Sequence, residues 1–414
     1  MLKNISVILT VSTFIVGACS QPCRATFSIV AVDTVTGEIG GAGASCIDNC
    51  QIINDIIKSV GAVHTQAYWL QQNQNNAHAR LQSGLTPDSI IGWLVTNDAQ
   101  ANPGLRQYGV VTLAGPGSSA AYTGIDTDPW TGHLTGPGYA IQGNILLGSQ
   151  IIDTMKTVFL ATTGHLEEKL MAALEAAKVP GADTRCLPLG KSAISAFIKV
   201  VRPQDGGAPY LYQVVYSTSG AADPIDSLRV LYDAWKVGQG AHADSSTISV
   251  TPEVLEADGL DTAVVTIVPK NAAGKTPVYL DSVKVSNSGS GQLSVAVDNG
   301  DGTFTVILTA PLAEGVDTLS VGVGAYGMYT VLTERPSVMY YTCGNADGLS
   351  GPGGPVDVAD LTFLVAYLFG GGSTPPLIQA ANVDGVIGPG GPIDVADLTH
   401  LVGYLFGSGP APVC

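Results

Sequence analysis

Charged side chains are scarce in this chain. Asp, Glu, Lys and Arg make up 13% of the 414 residues, whereas glycine alone occurs 51 times. Basic residues are the scarcer kind, because 18 Lys and Arg stand against 34 Asp and Glu, giving a net charge of −16. A surface of this sign repels polyanions, which excludes nucleic acid and anionic membrane surfaces as partners. This composition is typical of a β-rich, turn-rich extracellular chain, and its length allows two to four domains.

The most prominent apolar run lies at the N-terminus, where Lys3 precedes an apolar stretch over residues 5–16. This pattern is typical of an export signal and is too short to span a bilayer as a mature helix. Residues 16–19 resemble a lipobox, in which a lipidated Cys19 would be the only membrane anchor. Cleavage by an ordinary signal peptidase before Thr26 is the alternative. Residues 1–25 are therefore predicted to be a leader, and the mature chain to be secreted or cell-surface bound.

The chain has seven cysteines. If Cys19 carries lipid, six remain for pairing, and an even number favours disulfides. Cys343 and Cys414 flank the C-terminal segment and are predicted to close it. The remaining four allow three connectivities: Cys23, Cys46, Cys50 and Cys186. Zinc binding by Cys46 and Cys50 is the alternative, but no matching second pair is present, so disulfides are favoured.

Near the C-terminus, an Asn-x-Asp-Gly motif followed by Asp-Val-Ala-Asp-Leu-Thr occurs twice, with Asn345 and Asn382 lying 37 positions apart. Each copy places oxygen-bearing side chains on a glycine-rich loop. The loop is followed by apolar residues at i, i+3, i+4 and i+7, which predicts an amphipathic helix. Oxygen ligands on a sharply turned loop are what Ca²⁺ requires. The repeat therefore predicts a calcium-binding module.

This repeat resembles a type I dockerin, the duplicated loop–helix module that binds cohesins. The resemblance implies a small α-helical, EF-hand-like module over residues 341–414, with Ca²⁺ as cofactor and a cohesin-like surface protein as partner. It implies eight metal ligands: Asn345, Asp347, Asp357, Asp360, Asn382, Asp384, Asp394 and Asp397. The chain departs from the dockerin pattern, because Cys343 and Ala380 replace the first-position acids and a Gly/Pro-rich insertion lengthens each loop. Two solvated acidic turns that merely cap helices are the alternative.

Between these segments, short β-type runs alternate with turn clusters over residues 245–340. Regular short strands of this kind predict an all-β sandwich. The Glu256-Ala-Asp-Gly motif and the Asp298-Asn-Gly-Asp-Gly-Thr-Phe-Thr motif resemble bacterial Ig-like domains of the invasin/intimin kind. The resemblance implies a spacer or adhesion-type module, and no residues in it suggest chemistry.

Residues 26–237 alternate strand and helix patterns, which predicts a layered α/β domain with mainly antiparallel strands. Four motifs occur in order, beginning at Thr26 (Thr-Phe-Ser-Ile), Gly61 (Gly-Ala-Val-His-Thr-Gln), Gln142 (Gln-Gly-Asn) and Gly181 (Gly-Ala-Asp-Thr-Arg). Together they resemble the bacterial domain of unknown function 1028, placed among the N-terminal-nucleophile (Ntn) hydrolases. The resemblance implies an Ntn-hydrolase-like layered sandwich and hydrolysis of an amide or peptide-like bond.

In that class the first residue of the mature chain is the nucleophile and its own α-amine is the base. The resemblance thus implies Thr26 as nucleophile, which requires a cut between Ala25 and Thr26. Ser45 is expected to form a hydrogen bond near the nucleophile, and Asn144 to donate one to an oxyanion. The anionic group of a small-molecule or peptide substrate is expected to bind two arginines, Arg106 and Arg185.

A cut before Thr26 conflicts with the cysteine parity, because it also removes Cys23 and leaves five cysteines, one of them unpaired. Two other functions therefore stay open. One is a non-catalytic extracellular binding or adhesion protein that uses the Ntn-like fold as a scaffold. The other is a dockerin-bearing component of a polysaccharide-degrading surface assembly. A free Thr26 amine would favour the enzyme, whereas a retained leader would favour the binding protein.

Overall fold

The computed structural model of the chain describes residues 26–114, 118–217, 220, 222–351, 354–385 and 392–414. The predicted leader, with Cys19 and Cys23, lies outside the described residues, as do residues 386–391 of the second loop insertion. The chain divides into two compact units, Met1–Asp233 and Ala234–Cys414. The predicted modules at residues 245–340 and 341–414 both belong to the second unit.

The first unit contains strands β1 to β10, helices α1 to α4 and the first part of helix α5. In chain order, the strands are Thr26–Asp33, Glu38–Ser45, Asn54–Ile57, Gly61–Ala67, Arg106–Thr112, Ser118–Thr123, Gly132–Gly136, Tyr139–Asn144, Ser195–Val201 and Leu211–Val215. The helices are Gln71–Gln82, Pro87–Thr96, Gln150–Ala161, Leu166–Ala176 and Pro224–Gln239. Short 3-10 helices lie at Cys50–Ile53, Pro103–Leu105 and Thr184–Leu189.

These elements form four layers. Six strands make one antiparallel sheet in the order β10-β9-β2-β1-β8-β7, and four make another in the order β3-β4-β5-β6. The two sheets face each other through β1, β4, β5 and β8, while α3 and α4 cover the six-stranded sheet and α1 and α2 cover the four-stranded one. The layered α/β prediction of mainly antiparallel strands is confirmed, and β1 lies in the middle of the larger sheet.

Two glycines lie where a side chain of the opposite sheet comes close to the strand. A Cβ atom on Gly41 would come within 2.5 Å of His64 Nε2. On β5, a Cβ atom on Gly109 would come within 2.1 Å of Gln142 Oε1. Both glycines therefore make room for polar side chains that are buried between the sheets.

The second unit begins with an all-β sandwich, as predicted. Its strands β11 to β20 are Thr247–Thr251, Val254–Glu256, Thr262–Val268, Leu280–Asn287, Gln292–Leu293, Val297–Asp298, Phe304–Thr309, Gly315–Ala325, Met328–Val331 and Ser337–Tyr341. One sheet has the order β11-β13-β17-β15 with β16 beside β17, and the other has the order β12-β20-β18-β14 with β19 beside β18. Alternate residues of both sheets, such as Val265, Val306 and Val321, form its core.

The predicted duplicated helices are α6 (Val358–Phe369) and α8 (Val395–Phe406), with the short helix α7 (Ile378–Ala381) between them. Leu364 and Leu401, at equivalent positions, are fully buried in one apolar cluster. The predicted apolar stripe is only partly correct, because Val365 and Val402 are 43% and 41% exposed. In a module this small, only one side of each helix finds a partner.

Two disulfides close the described chain, Cys46–Cys186 and Cys343–Cys414. The predicted closure of the C-terminal segment is therefore confirmed. The expectation that Cys23, Cys46, Cys50 and Cys186 form two disulfides is wrong for Cys50, which is a buried free thiol. Its sulfur lies 3.6 Å from the Gly43 carbonyl, and burial raises the pKa of Cys50 to about 12. Zinc binding by Cys46 and Cys50 is excluded as well, because Cys46 is in a disulfide.

Among the residues that the structure describes, no helix has both the length and the apolar character needed to cross a membrane.

Candidate active site

Three neighbouring strands bring the predicted catalytic residues together. Thr26 begins β1, where it pairs with Asn144 at the end of β8. On the other side, Phe27 pairs with Ala44, which places Ser45 beside Thr26. The Thr26 hydroxyl donates a hydrogen bond to the Ser45 hydroxyl over 3.3 Å. All three side chains are buried, with at most 1% of their surface exposed.

A buried polar network supports Thr26 from the facing sheet. The Nε2 atom of Gln66, on β4, donates to the Thr26 carbonyl over 3.2 Å and to Gln107 Oε1 over 2.7 Å. The Ser28 hydroxyl donates to Gln66 Oε1 over 2.7 Å. Sequence analysis assigned no role to Ser28, Gln66 or Gln107. The signal that could have found them is a polar side chain at a core position of an otherwise apolar strand.

His64 belongs to this network as a neutral side chain, because burial lowers its pKa to about 3. His64 Nδ1 lies 3.0 Å from Ser28 Oγ, which also accepts a hydrogen bond from Gln142 Nε2 over 2.7 Å. His64 Nε2 lies 3.0 Å from Asn54 Oδ1. Both ring nitrogens thus contact polar side chains of the buried network. His64 is therefore structural.

The segment that contains Arg185 closes the same end of the sheet. Asp183 is fully buried, and its Oδ2 accepts the Cys46 N–H over 2.7 Å, immediately after Ser45. The Thr184 N–H donates to the Ile145 carbonyl over 3.1 Å, immediately after Asn144. Arg185 is ion-paired to Asp183 over 2.9 Å with its side chain 26% exposed. The structure thus brings Arg185 to the end of the sheet where Thr26 lies.

Arg106 is placed elsewhere, in the interior beside α1. It is 1% exposed, and its Nε donates to Asp98 over 2.7 Å. Burial disfavours the Asp98 carboxylate, but hydrogen bonds from Arg106, from the backbone and from Asn73 outweigh it and hold the pKa of Asp98 well below its usual value. An arginine in this position is bound internally and cannot present its charge to a substrate. The structure therefore does not support the predicted substrate-binding role of Arg106.

In the C-terminal repeat, the last predicted ligand of each loop has the same environment. The carboxylate of Asp360 accepts the N–H groups of Asp347 and Asp357 over 3.1 and 2.8 Å. Asp397 accepts those of Asp384 and Asp394 over 3.3 and 2.7 Å. The residues that cap the two helices, Asp357 and Asp394, form capping boxes with Asp360 and Asp397. Asp360 and Asp397 are thus held in the same way.

The predicted ligands in the two loops are Asn and Asp side chains, which coordinate a metal through oxygen. Oxygen is the donor atom that a hard cation such as Ca²⁺ prefers. Asn345 is 4% exposed, and its Oδ1 atom has no hydrogen-bond partner among the described residues. The Asp347 and Asp357 carboxylates accept hydrogen bonds from Leu349 N and Ala359 N. Within the described ranges, no group of three or more His, Cys, Asp or Glu side chains is arranged for a metal ion. Calcium binding therefore stays a prediction.

Known protein families match two parts of the chain. Residues 26–230 match the family of unknown function DUF1028, and residues 242–340 match domain 3 of invasin. No curated protein matches the chain.

Three solved structures are similar to parts of the chain. A DUF1028 protein from Silicibacter pomeroyi is 25% identical, with 51% of this chain and 88% of that chain covered and a TM-score of 0.43. The Yersinia pseudotuberculosis adhesin InvE is 24% identical over 25% of this chain and 28% of its own, with a TM-score of 0.23. InvD from the same organism is 27% identical over 24% and 28%, with a TM-score of 0.21.

The sandwich and the two disulfides indicate an extracytoplasmic protein. The chain therefore carries a DUF1028 domain at residues 26–230, followed by an invasin/intimin-type Ig-like domain at residues 242–340, in an adhesion-like extracellular architecture.

Proposed function

We propose that the DUF1028 domain is an Ntn-type hydrolase with Thr26 as its nucleophile. One observation carries the proposal: strand pairing places Ser45 and Asn144 on either side of Thr26, at the first residue of the central strand. The order of layers, helices–sheet–sheet–helices, supports it, since it agrees with the Ntn-like sandwich implied by the resemblance.

The chemistry follows from a free amine on Thr26. After the bond between Ala25 and Thr26 is cut, the new α-amine takes the proton of Thr26 Oγ1, and this oxygen attacks the substrate carbonyl. The Asn144 amide donates to the oxygen that becomes negative. The C–N bond breaks, the amine leaves with the transferred proton, and water then hydrolyses the ester on Thr26. The neutral His64 is not needed as a base.

The cysteines are compatible with this cut. A chain that begins at Thr26 keeps the Cys46–Cys186 and Cys343–Cys414 disulfides and the buried thiol of Cys50. All five remaining cysteines are then accounted for, and Cys23 is not required for pairing. The parity conflict therefore no longer opposes a mature N-terminus at Thr26.

The test is the N-terminal residue of the exported protein, found by intact mass and terminal sequencing, together with hydrolysis of a panel of amino-acid and peptide p-nitroanilides. We expect a chain that begins at Thr26, activity that Thr26→Ala abolishes, and partial activity in Thr26→Ser. Thr135→Ala, on an exposed position of β7, is the matched control and is expected to keep full activity. A mature chain that begins at Cys19 would overturn the proposal.

The rival function is a non-catalytic binding or adhesion protein, and the invasin/intimin-type domain favours it. In that case Thr26 is an ordinary strand residue and the leader is retained. A dockerin-bearing component of a polysaccharide-degrading assembly is a further alternative that rests only on the repeat. Terminal sequencing distinguishes the non-catalytic binding or adhesion protein from the enzyme.

We also propose that residues 341–414 bind Ca²⁺ and anchor the protein to a cohesin-like partner. Two observations support calcium binding: Asp360 and Asp397 accept equivalent backbone N–H groups in the two copies, and Asn345 Oδ1 is buried without a partner in the described chain. Thermal unfolding of the full chain is expected to shift upward with CaCl₂ and not with MgCl₂. The double variant Asp360→Asn/Asp397→Asn is expected to lose that shift. If wild-type unfolding is indifferent to calcium, the ligand assignment is wrong.

A further inference from the structure

A carboxylate of the Ig-like sandwich reaches the first loop of the repeat. Glu314 directly precedes β18, and its Oε1 accepts the Thr342 N–H over 2.9 Å. Its two carboxylate oxygens lie 2.8 and 3.0 Å from Asn345 Nδ2, which donates to them. Glu314 thus holds both the chain that enters the loop and the first predicted ligand residue.

This contact determines which way the Asn345 amide points. Because Nδ2 is bound to Glu314, Oδ1 lies on the opposite side of the amide, where it is buried and makes no hydrogen bond within the described chain. Turning the amide over would bring Oδ1 against the Glu314 carboxylate, and two acceptors repel each other. Glu314 therefore keeps a buried oxygen available that no other group of the described residues satisfies.

The carboxylate that ends the loop is bound to the backbone close to Asn345 in the chain. Asp360 Oδ1 accepts the N–H of Asp347, two residues after Asn345. The first position of the loop offers no acid, since Cys343 is in the disulfide with Cys414. With no acid at that position, the first copy depends on the correct orientation of its remaining oxygen atoms.

We propose that Glu314 is a positioning residue for a cation site in the first loop, acting through the Asn345 amide. The inference rests on the proposed calcium function and adds that the Ig-like domain is part of the first site. Groups that orient metal ligands through hydrogen bonds contribute strongly to affinity. The first site is thus coupled to the folding of the sandwich.

The experiment is calcium titration of the full chain by isothermal calorimetry, with thermal unfolding in EDTA to verify folding. Removal of the orienting carboxylate in Glu314→Ala is expected to weaken one calcium site about 10- to 100-fold and to leave the other unchanged. Glu314→Gln keeps one acceptor oxygen and is expected to lose less. Glu256→Gln is the matched control, because Glu256 is half-buried and its backbone pairs with Tyr341, next to the repeat.

A second variant separates positioning from a general effect of charge. In an Asn345→Ala background, Glu314→Ala is expected to cause no further loss of calcium affinity. Equal affinities in Glu314→Ala and wild type, an equal loss in Glu256→Gln, or additive losses in the double variant would each overturn the proposal for Glu314. If wild type binds no calcium at all, the calcium function itself fails and the inference fails with it.

Discussion

The hydroxyl of Thr26 lies 3.3 Å from the hydroxyl of Ser45, the last residue of the neighbouring strand β2. The two residues are 19 positions apart, and only the antiparallel pairing of β1 with β2 brings them into contact. Ser45 accepts the Thr26 hydrogen in this geometry. It therefore orients the hydroxyl that the proposed hydrolase uses for attack.

Replacing Ser45 tests this orientation. We expect Ser45→Ala to lower the rate of p-nitroanilide hydrolysis on the order of 10²-fold, because a misaligned nucleophile loses its favourable geometry. Ser195→Ala is the control, since the Ser195 hydroxyl accepts the Cys50 N–H over 3.1 Å and donates to the Ser45 backbone carbonyl over 3.5 Å, so that its partner on Ser45 is the backbone and not the side chain. Equal rates in Ser45→Ala and wild type would show that the contact has no catalytic role.

The buried His64 predicts how stability depends on pH. The pKa of His64 is about 3 in the folded protein and 6.5 in the unfolded chain. The stability that comes from burying the neutral ring is therefore fully present above pH 6.5 and is lost as the pH falls toward 3. Between pH 6.5 and 4.5, linkage lowers the free energy of unfolding by roughly 2–3 kcal/mol. We expect His64→Gln to remove this part of the slope in urea unfolding. His78→Gln, at a half-exposed histidine, is expected to retain it.

The buried pair of Arg106 and Asp98 predicts a large effect of removing one partner. Arg106→Met is expected to lower the free energy of unfolding by about 3–5 kcal/mol, because Asp98 is left buried without its counter-ion. Arg229→Met breaks ion pairs in which Arg229 is 42% exposed, and its expected loss in the same urea experiment is at most about 1 kcal/mol.

A double variant extends this test. Asp98→Asn/Arg106→Met is expected to lose less than the two single losses added together, since it leaves no unpaired charge. A loss below about 1 kcal/mol in Arg106→Met would mean that solvent reaches the pair and screens its charges.

The disulfide between Cys343 and Cys414 is expected to stabilise the repeat. It joins residues 71 positions apart, and a loop of that length corresponds to about 4 kcal/mol of lost chain entropy in the unfolded state. We expect Cys343→Ser/Cys414→Ser to lower the unfolding temperature of the second unit. Cys50→Ala, which removes an unpaired thiol, is expected to leave that transition unchanged.

Several elements could be predicted because their signals are local. The helices Val358–Phe369 and Val395–Phe406 follow the two loops, as the apolar spacing in the repeat predicts, and strands β11 to β20 form the sandwich predicted from short β-type runs. Helix α1 has no such apolar spacing, as it consists largely of Gln and Asn. Its Asn73 is held by Asp98 and Tyr108, which are distant in sequence. Tertiary contacts therefore position helix α1, and no local pattern predicts its place.

The sequence by itself determined the order of the modules, the repeat and the closing disulfide, because motifs and hydrophobic periodicity are properties of adjacent residues. It also named Thr26, Ser45 and Asn144, but through a resemblance and without their contact. The tertiary structure alone decided that these three meet, that Arg185 lies at their end of the sheet and that Arg106 is internal. The physical reason is that strand pairing and burial depend on residues far apart in the chain, which no local pattern contains.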